Sequence, residues 1–244
     1  MSSSVSYHPS NCSVYVLGFT NTLQPREKSR YQLKKQPRQA RSKATVEAIL
    51  EAATRILVSS GYSAATTNAI AQQAGVSIGS LYEYFPGKEA IFSEVRRREA
   101  LRHFQRLTGG VQPTHPGAML RFMISTHVAY VRDNLDIYVA LETKVPRFAF
   151  EETENAVIEQ YTVLSNAFLE SRREVLSPTN DISFISELLL RVVYATTKDY
   201  ALRSPEALFN PELTEALIKL VGKYLLDESP RRRTPPVTEP ETGA

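Results

Sequence analysis

The chain has 244 residues, 42% of them hydrophobic and 23% charged, with a formal net charge of +3. That is enough apolar side chain to close a sizeable core in one large domain or two small ones, and no apolar run approaches the ~20 residues of a membrane-spanning helix. A single cysteine, Cys12, excludes an intramolecular disulfide and a cysteine metal cage and fits a reducing cytoplasm, while ten glycines, no tryptophan and no β-branched alternation argue against an all-β chain.

The charge is unevenly placed. Residues 1–43 hold eight Lys or Arg against one acid, concentrated between Arg26 and Lys43. A basic arm on a near-neutral body suggests a polyanion partner, either nucleic acid or anionic lipid, against the plainer reading of a solvated tail. Residues 1–36 show no helical period, and the first 13 are rich in Ser and Asn, so a disordered basic extension is expected there. The run Val14 to Phe19 is too short for most secretory leader cores, and no Lys or Arg precedes it.

From Val46 onward the pattern is helical. Val46, Ile49, Leu50, Ala53, Ile56 and Leu57 recur at steps of three and four, and Gly61 ends that stripe. Thr66-Thr67 leads into a two-turn helix ending at Gly75, with a Thr as N-cap. Gly75-Val76-Ser77 makes a tight turn, and Ile78 to Tyr84 forms another short helix stopped by Pro86-Gly87. A longer helix starts near Lys88 and runs to about Leu107, before Gly109-Gly110, Pro113 and Pro116. Five more helices are expected near 117–132, 134–144, 151–175, 181–203 and 211–226; Asn210-Pro211 supplies a cap and a first helical residue for the last. The Pro/Thr/Arg/Glu-rich residues 229–244 read as a disordered tail.

Two short helices joined by a Gly-containing turn of three or four residues make a helix-turn-helix. The first buries Ile70 and Ala71 against the preceding long helix. Small residues Ser77, Gly79 and Ser80 let the second lie close to a DNA groove, and its hydroxyls, with Tyr82, Tyr84 and Lys88, offer phosphate donors.

The match then extends well beyond a hairpin. Ile49-Leu50-x-Ala52-Ala53, Gly61-Tyr62, Thr66-Thr67-x-x-Ile70-Ala71 and Ala74-Gly75-Val76-Ser77-x-Gly79-x-Leu81-Tyr82-x-Tyr84-Phe85-x-x-Lys88-Glu89 stand in order over nearly 50 residues. This stretch resembles the DNA-binding domain of the TetR family of bacterial transcriptional regulators. The resemblance implies an all-α homodimer of about nine helices, with a DNA-binding domain over 37–95 and a helical effector-binding and dimerisation domain over 96–228. It further implies a ligand-responsive repressor, released from a double-stranded inverted-repeat operator by a small-molecule effector. By position, Ile78, Gly79 and Ser80 open the recognition helix and face base edges. Tyr82 and Tyr84 contact phosphate or base, Thr67 contacts phosphate, and Lys88 reaches the phosphate backbone. Ile78 is apolar and suits a thymine methyl. The arm Arg26–Lys43 either enters the adjacent minor groove or attracts phosphate non-specifically.

Other features need weighing. Gly75-Val76-Ser77-Ile78-Gly79 matches the hydrolase G-x-S-x-G elbow, but that elbow follows a strand, and here a helix precedes it. Of His8, His103, His115 and His127, none stands at metal-ligand spacing from another. His127 suits a ligand hydrogen bond or a satisfied interior site, and Arg96-Arg97-Arg98 reads as a solvated face. The pattern calls for no cofactor, no metal and no catalytic group, and the protein is read as no enzyme. The wide apolar faces of 181–203 and 211–226 suit a twofold interface. The effector is placed within 117–175, where Phe122, Met123, Tyr130, Phe148, Phe150, Tyr161 and Phe168 offer aromatic and Met surface; its identity is left open. The rival reading is a helical interaction protein whose basic arm binds polyanions without sequence preference.

Overall fold

A computed structural model of the chain describes residues 31, 33–109, 111, 113–173 and 181–225. The expectations for residues 1–30 and for the tail 229–244 lie outside the described residues.

Nine α-helices and two 3-10 turns account for the regular structure of the described residues, with no strand among them. They are α1 (Ala40–Ser60), α2 (Thr67–Ala74), α3 (Ile78–Tyr84), α4 (Lys88–Thr108), α5 (Pro116–Asp133), α6 (Leu135–Lys144), α7 (Glu151–Glu170), α8 (Ile182–Arg203) and α9 (Pro211–Leu225). No described helix is long and apolar enough to cross a membrane.

The boundaries follow local chemistry. Gly61 ends α1 at φ +82°, and Gly75 ends α2 in the left-handed region at φ +65°, a conformation that a Cβ disfavours. The cap of α2 is Thr66, the first of the Thr66-Thr67 pair, and its hydroxyl accepts from the Ala69 amide at 3.1 Å. Ser77 caps α3 by accepting from the Ser80 amide at 3.0 Å. Asp181 caps α8 through the amides of Ser183 and Phe184. Asn210 Oδ1 accepts from the Glu212 amide at the start of α9.

The stripe read on α1 is the floor of the N-terminal core. Val46, Ile49, Leu50, Ala53, Ile56 and Leu57 are buried there, joined by Ile70 and Ala71 of α2 and Leu81 and Phe85 at α3. This core does not close at residue 95. Ala140 and Leu141 of α6, with Val145, Ala149 and Phe150, belong to the same cluster. Lys144 Nζ also donates to the carbonyls of Leu57 and Val58 at the C-terminal end of α1. The head formed by α1–α3 therefore rests on α6. Farther from it, Ile124, Val128 and Val131 of α5 pack with Val193 and Ala201 of α8 and with Leu217, Ile218 and Val221 of α9. A smaller cluster joins Phe104 and Leu107 of α4 to Tyr161 of α7.

The structure corrects the expected disorder of 33–36. The Lys34 amide donates to the Tyr84 carbonyl at 2.8 Å, and Lys34 Nζ donates to the Tyr82 carbonyl at 3.0 Å. Lys35 pairs with Glu83 at 2.9 Å, and Leu33 packs on the head core. The carbonyls at the C-terminal end of α3 lack intrahelical donors, and this segment supplies them.

Leu81, fully buried where α3 meets α1, sets the attitude of α3. Leu81→Ala is expected to lower unfolding stability by about 2–5 kcal/mol, measured by urea denaturation; a cost below about 1 kcal/mol contradicts this packing role.

Candidate nucleic-acid interface

With Leu81 and Phe85 turned inward, α3 leaves a narrow outer face. Ser77, Ile78, Gly79, Tyr82 and Glu83 are exposed, and Ser80 is half-buried beside them. Ile78 and Tyr82 are large exposed apolar side chains there, at 39% and 43%. The Tyr82 hydroxyl lies 3.1 Å from Thr67 Oγ1, so the start of α2 and the outer face of α3 form one hydroxyl-bearing ridge. The Ser77 and Ser80 hydroxyls lie 2.8 Å apart, within the cap of α3.

Lys88 sits at the start of α4. Its ammonium donates to the Tyr62 carbonyl at 3.2 Å and stands 3.9 Å from the centre of the Tyr62 ring. Tyr84 departs from expectation. It is only 7% exposed and packs in the head core, because the turn of α3 that aims Leu81 inward also carries Tyr84 inward. Six of the eight residues read from the sequence, Thr67, Ser77, Ile78, Gly79, Ser80 and Tyr82, thus lie along the outer ridge, while Lys88 is held by Tyr62 and Tyr84 is buried.

Arg96-Arg97-Arg98 is not a solvated face. Arg96 pairs with Glu142 of α6 at 2.5 Å and with Glu154 of α7 at 3.0 Å. Arg97 and Arg98 both pair with Glu94, and Arg98 also pairs with Glu47 of α1. Burial opposes the charge on Arg96, but Glu142 and Glu154 outweigh it and hold the guanidinium pKa above its ordinary value. Burial likewise works to raise the Glu142 pKa, and Arg96 and Lys198 pull it below the usual carboxylate range.

Behind this knot, two cavities open on either side of a His–Tyr cluster. The first, about 90 Å³, is almost wholly apolar and is lined by Leu107, Met119, Met123, Phe168, Leu189 and Val193 among others. The second, about 310 Å³, has a more polar wall that includes Arg96, Tyr130, Tyr138, Glu142 and Lys198. His103, His127, Tyr161, Leu190 and Tyr194 line both. Residues 117–175 do not enclose this space alone, because α4, α8 and α9 supply much of the wall. Of the aromatic residues read as effector surface, Tyr130, Tyr161 and Phe168 line a cavity, and so does Met123. Phe148 is 54% exposed, its ring 5.8 Å from Tyr31, and Phe150 is buried in the head core.

The two histidines, 24 residues apart in sequence, meet here. His127 Nδ1 lies 3.3 Å from His103 Nε2, and the Tyr161 hydroxyl lies 2.7 Å from His103 Nδ1. Burial, the neighbouring His127 and Arg106 hold the His103 pKa well below its ordinary value, and burial pushes His127 down to about 4. Both rings are neutral at pH 7. Among the described residues, no three His, Cys, Asp or Glu side chains gather closely enough to hold a metal ion.

An all-α chain that rests a three-helix head on a cavity-bearing helical body, with a capped helix-turn-helix facing outward, is the architecture of a helix-turn-helix regulator. Residues 49–95 match the family model described as bacterial regulatory proteins, tetR family. Over that stretch, which runs from α1 to the start of α4, the chain is similar to this family. It is 25% identical over 124 residues to the fatty acid metabolism regulator protein of Bacillus subtilis strain 168, an alignment that covers 50% of this chain and 64% of that relative's length. The fold is similar to that of NalD, the secondary repressor of the MexAB-OprM multidrug efflux pump of Pseudomonas aeruginosa. That likeness has a TM-score of 0.61 at 23% identity, over 78% of this chain and all of that one. It is also similar to the fatty acid degradation regulator FadR of Bacillus halodurans, with a TM-score of 0.59 at 20% identity, over 79% and 96% of the two chains.

The neutral histidines make stability depend on pH. The unfolded chain takes up protons at His103 and His127 below about pH 6.5, and the folded one resists uptake at His127 until about pH 4. Folding stability is therefore complete above pH 6.5 and declines as pH falls, by about 1.4 kcal/mol per unit for each such histidine. Urea unfolding at pH 7, 6 and 5 is expected to show this slope, made shallower in His127→Phe; equal slopes in both proteins contradict it.

Proposed function

We propose that the protein is a homodimeric transcriptional repressor that binds an inverted-repeat DNA operator and releases it when a small molecule fills the cavity in its body. The observation that carries this reading is the outer ridge of α2 and α3, held on a rigid core and free of acidic residues except Glu83, which Lys35 neutralises. Ile78, Gly79 and Ser80 approach base edges in the major groove. Thr67, Ser77, Tyr82 and Lys88 bind phosphate. Lys34 and Lys35, in the middle of the basic arm, lie against the end of α3.

The faces of α8 and α9 support self-association. Phe184, Leu202, Leu220 and Tyr224 are exposed there, apolar surface of the kind that a twofold copy covers. Two support points favour control from the cavity. Helix α4 carries Ala90, Ile91, Phe92 and Val95 in the head core and His103 and Leu107 in the cavity wall. Leu141 of α6 is shared by the head core and the larger cavity. A ligand that displaces α4 or α6 thus displaces the head, provided it binds the two arrangements with different affinity. The mainly apolar lining favours a mainly apolar effector.

Selection from random duplex DNA by the purified protein tests this reading. Recovery of one inverted repeat is expected, with half-sites about 34–36 Å apart or a multiple of that, and with affinity falling steeply as salt rises. Unrelated sequences recovered with the same salt dependence would contradict it and favour a helical protein whose basic arm holds polyanions without reading bases.

A further inference from the structure

The His–Tyr cluster leaves one polar atom unanswered. His127 is 4% exposed, lines both cavities, and has no hydrogen-bond partner at Nε2. A buried polar atom without a partner costs free energy that a folded chain ordinarily avoids. Its counterpart Nδ1 is engaged with His103, and His103 is engaged with Tyr161.

The chemistry of that atom follows from the chain behind it. Each neutral imidazole carries one N–H. When the Tyr161 hydroxyl donates to His103 Nδ1, His103 Nε2–H donates to His127 Nδ1, and His127 Nε2 carries a free N–H. When His103 Nδ1–H donates to Tyr161, every bond reverses, and His127 Nε2 is a free acceptor. The terminus answers a carbonyl oxygen in the first arrangement and a hydroxyl in either. No formal charge faces it: the Tyr194 ring lies tilted at 4.2 Å on one side, and the smaller cavity beside it carries no charged side chain, being lined by aliphatic residues, Met and Phe besides the His–Tyr cluster and the hydroxyls of Ser165 and Ser186. The charged groups of the larger cavity are already paired: Arg96, Glu142, Glu154 and Lys198 with one another, Glu99 with Arg102, and Arg191 with Glu187. An ionised ligand head beside His127 would be desolvated without a counter-charge.

We infer that His127 Nε2 is the anchor of the effector site, and that the site takes an uncharged, predominantly apolar molecule with one hydroxyl or carbonyl oxygen bound to that nitrogen. The inference rests on reading the cavity as the effector site and adds the ligand class and the residue that orients it. The burial that keeps both rings neutral also keeps Nε2 ready for an uncharged partner.

Three probes of one shape test it: 2-naphthol, 2-methylnaphthalene and 2-naphthoate, titrated into the full-length protein and followed by calorimetry. Binding of the first two is expected, with 2-naphthoate weakest. In His127→Phe the affinity for 2-naphthol relative to 2-methylnaphthalene is expected to drop about tenfold, the worth of one buried hydrogen bond. The wild-type protein labelled with nitrogen-15 at histidine supplies a second readout that does not depend on the variant's folding: saturation with 2-naphthol, and not with 2-methylnaphthalene, shifts the His127 Nε2 resonance. Equal relative affinities in wild type and variant, an unmoved His127 resonance with 2-naphthol bound, or tightest binding of 2-naphthoate overturns the anchor while leaving the cavity as a ligand site. Binding of none of the three overturns the cavity reading and the anchor with it.

Discussion

The arrangement of the molecule depends on one cation largely withdrawn from solvent. Arg96 stands on α4 one residue beyond Val95, the last α4 side chain in the head core, and its guanidinium is gripped by Glu142 of α6 and Glu154 of α7. Glu142 is held in turn by Lys198 of α8. Four helices meet at this knot, between the head and the cavity. Paired ions of this kind add little net stability, but removing one partner strands a buried charge at a cost of about 3–5 kcal/mol. The knot therefore acts as a locator. It fixes where α4 crosses α6 and α7, and so fixes the direction in which α4 delivers the head.

The head and the body are consequently not independent units. Phe150 and Ala149, which follow α6, pack against residues of α1 and α4, and Lys144 binds the last carbonyls of α1. The same α6 contributes Leu141 to the cavity wall. Core packing is close to crystalline in density, so a change in cavity occupancy is transmitted as a shift of whole helices. This is the physical content of the proposal that a small molecule controls DNA binding.

Much of this was legible in the sequence because it is local. The α1 stripe, the left-handed Gly75, and Pro and Gly at the breaks placed nine helices nearly where they stand. The helix-turn-helix was legible because its inward residues, Leu81 and Phe85, alternate with small and hydroxyl-bearing ones. What was not legible lies in pairings between distant residues. Arg96-Arg97-Arg98 looks solvated until α6 and α7 fold over it, with partners 46 and 58 residues away. His103 and His127 have no sequence signature as a pair; they meet only because α4 and α5 pack side by side. An aromatic period does not say where each ring ends up: Phe150 sits in the head core and Phe148 is exposed, both away from the cavities that Tyr161 and Phe168 line. The Tyr84 hydroxyl reads as outward-facing, and helix geometry turns it inward beside Leu81.

The central claim is that the outer ridge of α3 enters the groove of a duplex. Gly79 tests it with least disturbance, since a Cβ there meets only Ser77 Oγ, at an ordinary 3.8 Å. Gly79→Leu leaves the fold intact and adds bulk only on the exposed face. The measurement is the affinity of this variant and of the wild type for the selected duplex, with the Tm of each recorded alongside. The account predicts an unchanged or higher Tm and a loss of affinity of about tenfold or more. Full affinity and full sequence preference in the variant would contradict it and place the DNA-reading surface elsewhere.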